Sequence, residues 1–348
     1  MRVAVVGAGV VGLATTAALL DAGAEVTCFE AAGPMSKRSA GASRIFRLAH
    51  TEPAFVDAAA RSHAVYRQWS AAFGRELVAV AGTVVAGPDV RDWAAAMAAA
   101  GAAHEVHDEV DDSLGLPIKA IDGPCLLDPA GGVIDATGVG EYLVAATRAA
   151  LVADLVYLIE EGPAAVRVCA GSGSASFDAV VIAAGFGTCQ LAAQVGLYTP
   201  SLLLHHVRFT FPMADVERRP PALIDKSETW RRGFTTYQHL TAPGRWAVGA
   251  HVDPAAVAWE VGRDPAVAVS RAQTVDYVRE NLDGVQDQPV DEVYCNVVAG
   301  WADGYRIVRT ARVVAGYGDN LFKLAPVLGR ELARAAVDGS LPDSTVTP

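Results

Sequence analysis

The stretch RVAVVGAGVVGLATTAALLDAGAEVTCFE, residues 2–30, decides the fold. Its β-branched run from Arg2 to Val6 predicts a strand, and a glycine-rich turn follows. An Ala/Leu-rich segment from Leu13 to Ala22 then predicts a helix, and a second strand is predicted from Glu25 to Phe29. The order of strand, turn, helix and strand predicts a βαβ unit at the start of the chain.

The turn carries the glycine spacing of a dinucleotide-binding motif. Gly7 would permit a tight turn, Gly9 would let the backbone approach a pyrophosphate, and Gly12 would let helix and strand pack closely. The helix N-terminus would offer unpaired N–H groups and a partial positive charge to the anion. Glu30 comes directly after the predicted second strand, at its end, where an acid can accept hydrogen bonds from ribose hydroxyls. A dinucleotide site is therefore predicted, against the alternative of a purely structural turn.

Small residues and two arginines follow this unit, in SAGASRIFR at residues 39–47. Here the chain resembles the monomeric sarcosine oxidase and N-methyltryptophan oxidase family, within the D-amino-acid oxidase superfamily of FAD-dependent enzymes. The resemblance implies that Ser39, Ser43 and Arg44 lie beside the flavin and that Arg47 binds the substrate carboxylate. A planar guanidinium matches a carboxylate with two parallel hydrogen bonds. The alternative is that both arginines form surface or interdomain salt bridges.

Two segments in the middle of the chain also resemble this family. The stretch GGVID at residues 131–135 precedes a helix predicted at about 138–151. It resembles the family's segment in which the chain returns from the small domain to the FAD domain. FDAVVIAAG at residues 177–185 predicts an apolar strand that ends in small residues. In the resemblance, Ala184 and Gly185 allow the backbone to approach the cofactor closely.

The closing stretch GYGDNLFKLAPVLG, residues 316–329, is the most specific match. It predicts a glycine-rich turn before a helix that begins at Arg330. The resemblance implies that this turn lies over the flavin and that Lys323 joins Arg47 around the substrate carboxylate. Two cations that converge on one site attract an anion, so amino-acid-like substrates are predicted. The cofactor residues implied by this stretch are Gly318, Asn320, Phe322 and Lys323.

Cys295 falls where sarcosine oxidases attach the flavin through a thioether, so the resemblance implies FAD that is possibly covalent. The spacing from Cys295 to Lys323 is several residues shorter than in the family, and the alternative is an ordinary buried thiol.

The strand predicted at residues 246–251 resembles the one that carries the family's oxygen-activating lysine, but Ala247 stands in its place. Rapid peroxide-forming oxidase activity is therefore not expected unless another cation, such as Arg44, substitutes. His251 on this strand is a candidate catalytic group. The polar residues that could face a substrate are His50, Tyr237, His239 and His251.

Length and composition favour a globular protein of two domains. The chain has 348 residues, of which 52% are hydrophobic and 19% charged, enough apolar surface for more than one core. We predict an α/β fold: a two-dinucleotide-binding, Rossmann-like FAD domain with a discontinuous α+β substrate domain on a mixed sheet. The FAD domain is predicted at 1–75, 130–204 and 293–348, and the substrate domain at 76–129 and 205–292. Within the substrate domain, strands are predicted at 78–85, 206–211 and 245–250.

Net charge, the length of the apolar runs and the cysteine spacing limit the partners and the location that we expect. A formal net charge of -11 without a Lys/Arg-rich block makes nucleic acid an unexpected partner. The apolar runs have strand length, so no membrane span is predicted. No secretory signal is recognisable before the first strand, which predicts a cytoplasmic location. The five cysteines form no C-x-x-C pair, so no metal is predicted.

These features predict an FAD-dependent oxidoreductase that oxidises the C–N bond of an amino or imino acid, N-substituted or cyclic. Hydride transfer to flavin N5 would leave an imine, and O2 is a possible electron acceptor. One alternative is a specialised flavin oxidase of a biosynthetic pathway that acts on an N–N or cyclic imine precursor. Two others are an NAD(P)-dependent dehydrogenase and a flavin-binding scaffold without turnover.

Overall fold

The computed structural model describes residues 1–299, 301 and 303–341, so the last part of the predicted 293–348 segment lies outside the described residues. Its strands are β1 (Arg2–Val6), β2 (Glu25–Glu30), β3 (Ser43–Phe46), β4 (Val78–Val80), β5 (Thr83–Ala86), β6 (Glu105–Val110), β7 (Ile121–Asp128), β8 (Gly132–Asp135), β9 (Leu151–Ala153), β10 (Val156–Glu161), β11 (Val166–Ala170), β12 (Gly173–Phe177), β13 (Ala179–Ile182), β14 (Leu203–Pro212), β15 (Ala222–Asp225), β16 (Thr235–Ala242), β17 (Arg245–His251), β18 (Asp291–Val298), β19 (Gly304–Arg309) and β20 (Val313–Asp319). The α-helices are α1 (Val10–Asp21), α2 (Pro53–Phe73), α3 (Val90–Ala99), α4 (Ala136–Thr147), α5 (Thr188–Ala193), α6 (Arg263–Asn281) and α7 (Ala325–Val337). Short 3₁₀ turns span Asp112–Leu114, Arg148–Ala150, Gly185–Gly187, Pro254–Ala256, Trp259–Val261 and Leu321–Leu324.

The first sheet has six strands in the order β19-β20-β13-β1-β2-β9. All neighbours run parallel except β19, which is antiparallel to β20. Strand β1 is buried on both faces, because alternate side chains point to opposite sides of a sheet. Val3 and Val5 pack into the core formed with α1, α4 and α7. Ala4 and Val6 pack against the three-stranded antiparallel sheet β10-β11-β12.

The predicted βαβ unit is confirmed at the start of the chain. β1 has the predicted bounds, and β2 ends one residue later than predicted. Helix α1 begins at Val10 and not at Leu13, because Gly9 is its N-cap residue.

The closing helix α7 also begins earlier than predicted, at Ala325 and not at Arg330. Pro326 lies in its first turn, where a missing N–H costs nothing and the fixed φ suits a helix. Gly329 lies against α1, and a Cβ there would stand 2.7 Å from the carbonyl carbon of Ala14. Two helices can therefore approach closely above the first sheet.

The second large sheet is mixed and has eight strands, in the order β18-β14-β17-β16-β15-β5-β7-β6. Only the β15–β5 pair is parallel. On β14, Val207, Phe209 and Phe211 are buried in the second core, where α6 packs. The alternate residues His206 and Arg208 therefore face the opposite side. One face of this sheet is apolar, and the other is polar.

A third sheet, β3-β8-β4, holds the segment that carries the two arginines. The strand predicted at 78–85 is two strands in different sheets, separated at Gly82, whose φ of +86° breaks the extended backbone. β18 pairs with β14 although the predicted division assigns residues from 293 onward to the FAD domain. The domain division itself stays a prediction. Among the described helices, none has the length and apolar character needed to cross a bilayer.

Candidate functional site

A cavity of about 1150 Å³ lies between the two large sheets. The carboxyl ends of β1, β2, β13 and β20 form one wall, the usual place for a ligand in an open α/β sheet. The polar face of the eight-stranded sheet forms the other wall. The volume of the cavity exceeds the roughly 300–1,000 Å³ of ordinary ligand pockets, so the cavity has room for a large cofactor and a small substrate.

Most of the predicted site residues line this single cavity, although they come from widely separated parts of the chain. Three do not: Gly12 lies behind the glycine-rich turn, and Ser43 and His50 are buried. The predicted residues that line the cavity are Gly7, Gly9, Glu30, Ser39, Arg44, Arg47, Ala184, Gly185, Tyr237, His239, His251, Cys295, Gly318, Asn320, Phe322 and Lys323.

The glycine-rich turn has the geometry that its spacing requires. Gly7 has φ of +102°, and a Cβ there would lie 2.6 Å from the carbonyl oxygen of Ala183. A Cβ on Gly12 would lie 1.8 Å from the carbonyl oxygen of Gly7, so any side chain at residue 12 would push α1 away from β1. Gly9 leaves the N-terminus of α1 open to the cavity. These features fit a bound pyrophosphate.

Glu30 and Ser39 are fixed at the same end of the cavity. The Glu30 carboxylate accepts hydrogen bonds from the backbone N–H groups of Ala8 and Ala32, each at 2.8 Å. The Ser39 hydroxyl accepts one from the N–H of Val10 at 3.0 Å and so caps α1. A fixed carboxylate beside the glycine-rich turn fits the ribose of a dinucleotide, and these residues are therefore compatible with FAD.

Arg44 is held by backbone carbonyls. Its guanidinium donates to the carbonyl oxygens of Arg38, Ala40 and Ser43, and it lies 5.4 Å from the centroid of the Phe322 ring. Burial, reinforced by the charge of Arg208, lowers the pKa of Arg44 to about 10, so the side chain remains a cation at neutral pH.

Ser43, Arg208 and His239 form a buried polar cluster, of which Arg208 and His239 line the cavity and Ser43 does not. Arg208 donates to the Ser43 carbonyl oxygen at 3.0 Å and to His239 Nε2 at 3.3 Å. Since a guanidinium only donates, Nε2 accepts, and the neutral imidazole carries its proton on Nδ1. Burial and the charge of Arg208 hold the pKa of His239 well below its usual range. The Ser43 hydroxyl lies 2.9 Å from the same Nε2, so Ser43 positions His239 and does not itself face the cavity.

Tyr237, His206 and His251 form an aromatic floor. The rings of His206 and Tyr237 are stacked with centroids 5.6 Å apart, and His251 lies 5.6 Å from His206. Gly249 leaves the space for the Tyr237 ring, because a Cβ at residue 249 would lie 2.1 Å from Tyr237 Cζ. Burial lowers the pKa of His206 to about 3 and also lowers that of His251. Both imidazoles are neutral at physiological pH.

Cys295 lies beside this floor. Its Sγ is 3.4 Å from His206 Nδ1, and the residue lines the cavity. Burial raises the pKa of the thiol, so it is protonated at neutral pH. Ala247 faces the same side of the sheet, opposite His239 on β16, and it is fully buried.

Arg47 and Lys323 converge as predicted from the sequence, but a protein carboxylate lies between them. Asp303 Oδ2 accepts a hydrogen bond from Arg47 and lies 3.4 Å from His50 Nδ1. Its Oδ1 accepts from Lys323 Nζ at 3.1 Å and from Asn320 Nδ2 at 3.3 Å. Burial alone would raise the pKa of Asp303, but the charges of Arg47 and Lys323 outweigh it and hold that pKa well below its usual range.

The same cluster changes the lysine. Burial lowers the pKa of Lys323 to about 8, although Asp303 acts in the opposite direction. A further cation, Lys226, lines the cavity near Arg47, and both lie over the Trp93 ring, at 4.8 and 4.6 Å from its centroid. Across the part of the chain that the structure describes, Lys226 has no carboxylate within salt-bridge distance.

Sequence reasoning missed Asp303, Arg208 and Lys226. Arg208 had a usable signal, because it alternates with Val207 and Phe209 on a predicted strand and so marks a polar face. Asp303 and Lys226 lie outside regular strands and helices, and no periodicity points to them.

Comparisons with known proteins agree with this architecture. A family model described as "DAO: FAD dependent oxidoreductase" matches residues 2–335. A comparison with curated proteins finds no match. Many solved structures share the fold, among them the following three, all at low sequence identity. NikD, described as an unusual amino acid oxidase essential for nikkomycin biosynthesis, has a TM-score of 0.80 and 21% identity, with coverage of 97% of this chain and 94% of that one. L-proline dehydrogenase from P. horikoshii has a TM-score of 0.77 and 16% identity, with coverage of 97% and 94%. Glycine oxidase from Geobacillus kaustophilus has a TM-score of 0.74 and 18% identity, with coverage of 98% and 96%.

Proposed function

The chain belongs to the DAO family of FAD-dependent oxidoreductases, and from that premise we propose that it oxidises the C–N bond of an amino or imino acid, N-substituted or cyclic, to an imine. Membership confirms the predicted superfamily and the dependence on FAD, and it sets aside the NAD(P)-dependent alternative. The observation that supports the proposed substrate is the convergence of Arg47 and Lys323 on the cavity that the dinucleotide motif also lines.

The cofactor would be held by residues at one end of this cavity. We propose that the α1 N-terminus at Gly9 faces the pyrophosphate and that Glu30 accepts hydrogen bonds from the ribose. Ala184, Gly185 and the turn containing Gly318 would then border the rest of the cofactor. Bound FAD supplies the hydride acceptor, at flavin N5, and the protein supplies positioning and electrostatics.

Arg47 and Lys323 would bind and orient the substrate. A carboxylate held by a guanidinium fork and an ammonium has a fixed position and direction, which is how binding lowers the barrier of a reaction between two bound groups. Because both cations are almost fully buried, they act in a region of low dielectric, where charge interactions are strong.

The aromatic floor is not suited to remove a proton from a substrate ammonium. His206 and His251 are neutral at physiological pH, with pKa values shifted downward, so they are weak bases. We therefore propose that the substrate amine reacts in its unprotonated form and that no side chain acts as a dedicated base. His251 would contact the substrate without taking its proton.

Arg44 and Arg208 would stabilise negative charge on the reduced cofactor. Both are fixed in place by carbonyl oxygens, and a preorganised cation needs no rearrangement when charge develops. Cys295 is the proposed site of a covalent flavin bond, supported by its place in the cavity wall. Ala247 leaves the family's lysine position without a cation, so slow reduction of O2 is expected.

Replacing Arg47 by Met tests the carboxylate site. In holoenzyme, the dissociation constant of benzoate, a carboxylate that cannot be oxidised at a C–N bond, is read from the change in flavin absorption. We expect it to rise by about 10-fold or more, because a buried charge-assisted hydrogen bond contributes roughly 1.5–3 kcal/mol, with the flavin spectrum itself unchanged. Arg330→Met, at an exposed position on α7, is the matched control. Unchanged affinity in Arg47→Met would remove the proposed carboxylate site.

A biosynthetic precursor with an N–N bond or a cyclic imine would carry its carboxylate to the same two cations. Such compounds belong in the panel of candidate substrates, and their relative rates of flavin reduction would separate this alternative from ordinary amino acids.

A further inference from the structure

Asp303 occupies the position that the proposed function gives to the substrate carboxylate. Its two oxygens lie among donors from Arg47, Lys323 and Asn320, with His50 Nδ1 at 3.4 Å. This is the coordination expected of a bound ligand carboxylate, with both oxygens engaged and two cations present. The protein's own chain therefore already supplies one negative charge to the cation pair.

A second carboxylate cannot simply join this arrangement. One terminal nitrogen of Arg47 donates to Asp303 and the other to the carbonyl oxygen of Ala49, so both ends of the guanidinium fork already have an acceptor. Lys323 Nζ has two acceptors, Asp303 and the carbonyl oxygen of Asn320. A substrate carboxylate beside Asp303 would also meet like-charge repulsion in a buried site.

Asp303 is more accessible than the two cations that it contacts. Its side chain is 27% exposed, whereas the side chains of Arg47 and Lys323 are 5% and 2% exposed. An incoming ligand would meet the carboxylate before it meets either cation. Without any anion, two buried cations would stand unpaired, which is strongly destabilising, so an internal counter-charge stabilises the substrate-free protein.

We propose that Asp303 is a specificity-determining residue, an internal carboxylate that occupies the Arg47–Lys323 pair until a substrate carboxylate displaces it. This proposal rests on the proposed function, since it takes Arg47 and Lys323 as the substrate's carboxylate site. The apparent dissociation constant of a carboxylate ligand then equals its intrinsic value divided by the fraction of molecules in which the Arg47–Lys323 pair is free. Asp303 thus sets how strongly a carboxylate must bind to enter, while a neutral ligand leaves Asp303 in place.

The test is Asp303→Asn in holoenzyme, titrated with benzoate and with benzamide, its uncharged counterpart. We expect the benzoate dissociation constant to fall by about 10- to 100-fold, as when an internal competitor occupies the site in 90–99% of molecules. Benzamide binding should change by less than about twofold. Asp89→Asn removes a carboxylate from the same cavity without contact to Arg47 or Lys323, and it should leave benzoate binding unchanged.

Weaker or unchanged benzoate binding in Asp303→Asn would overturn the proposal, because Asp303 would then hold the cations in position and not compete with the ligand. The double variant Arg47→Met with Asp303→Asn separates this failure from a failure of the proposed function. If Arg47→Met weakens benzoate binding but Asp303→Asn does not strengthen it, only the Asp303 proposal fails. If Arg47→Met has no effect in either background, the carboxylate site itself is wrong and the proposal falls with it.

Asp303→Ala provides a second measurement should the asparagine variant be poorly folded. Formate matches the carboxyl group that alanine lacks, so it should raise the thermal unfolding temperature of Asp303→Ala by several degrees more than that of the wild type. An equal effect of formate on both proteins would contradict the proposal.

Discussion

Raising the pH should weaken carboxylate binding in a way that follows the ionisation of Lys323. Burial brings the pKa of this lysine down to about 8. A carboxylate ligand favours the charged ammonium, so binding takes up a proton and affinity is lost as pH rises through that pKa. Asp303 stays ionised throughout, since its pKa is held well below its usual range.

The size of the effect follows from the protonated fraction of Lys323. If only the ammonium form binds benzoate, the dissociation constant should rise about 10-fold between pH 7 and pH 9, and roughly 10-fold per unit above that. The histidines of the cavity floor are already neutral in this range and add no step. Benzoate is preferred to a real substrate because a substrate amine would lose a proton over the same range and increase the reactive form.

The assay is a benzoate titration of holoenzyme by flavin absorption at four or five pH values, in wild type and in Lys323→Met. Other cavity groups also titrate at alkaline pH, since burial lowers the pKa of Lys226 and brings that of Arg44 to about 10. Lys323→Met shows how much of the pH dependence comes from Lys226 and Arg44. This variant should bind benzoate weakly, and its binding curve should lack the step near pH 8. A step of the same size in Lys323→Met would refute the reasoning.

Three further changes probe other parts of the site. Gly12→Ala should destabilise the holoenzyme by about 3 kcal/mol or more and lower its FAD content, since the new Cβ would lie 1.8 Å from a backbone oxygen. Gly187→Ala is the control and should be tolerated, because its Cβ would meet nothing closer than 3.6 Å. Equal chemical denaturation curves for the two variants would contradict this prediction. In acid-precipitated wild type the yellow colour should stay in the pellet, whereas Cys295→Ser should release it; release from the wild type would return Cys295 to an ordinary thiol. Ala247→Lys should speed the reoxidation of the reduced flavin in air by about 10-fold or more, as a fixed cation stabilises superoxide, and an unchanged rate in stopped flow would show that Ala247 is not what limits the reaction with oxygen.

The sequence predicts the first βαβ unit well because its signals are local. The β-branched run at 2–6, the glycines of the turn and the apolar helix that follows all lie within a few residues of one another, and the bounds of both strands agree with the structure to within one residue. The convergence of Arg47 and Lys323 was predictable only through family resemblance, since 276 positions separate them in the chain.

Other features depend on long-range contacts and leave no local pattern. Asp303 acquires its role only when β19 and β20 bring it beside Arg47, and an isolated acidic residue near a glycine is ordinary in a loop. The sequence pattern predicts too late a start for α7, because glycines continue to residue 329 and resemble a turn throughout, whereas Pro326 lies in the first turn of the helix. The predicted 78–85 strand failed at Gly82, where the chain leaves one sheet for another.

The most direct test of the proposed function is an anaerobic titration of the holoenzyme with amino and imino acids, each paired with the amine that lacks its carboxylate. We predict that at least one carboxylated compound, N-substituted or cyclic, bleaches the flavin absorption near 450 nm, and that its decarboxylated partner does so at least about 10-fold less efficiently. Equal bleaching by both members of every reactive pair would contradict the claim that Arg47 and Lys323 bind the substrate carboxylate. Failure of every compound to bleach the flavin would favour a flavin-binding scaffold without turnover.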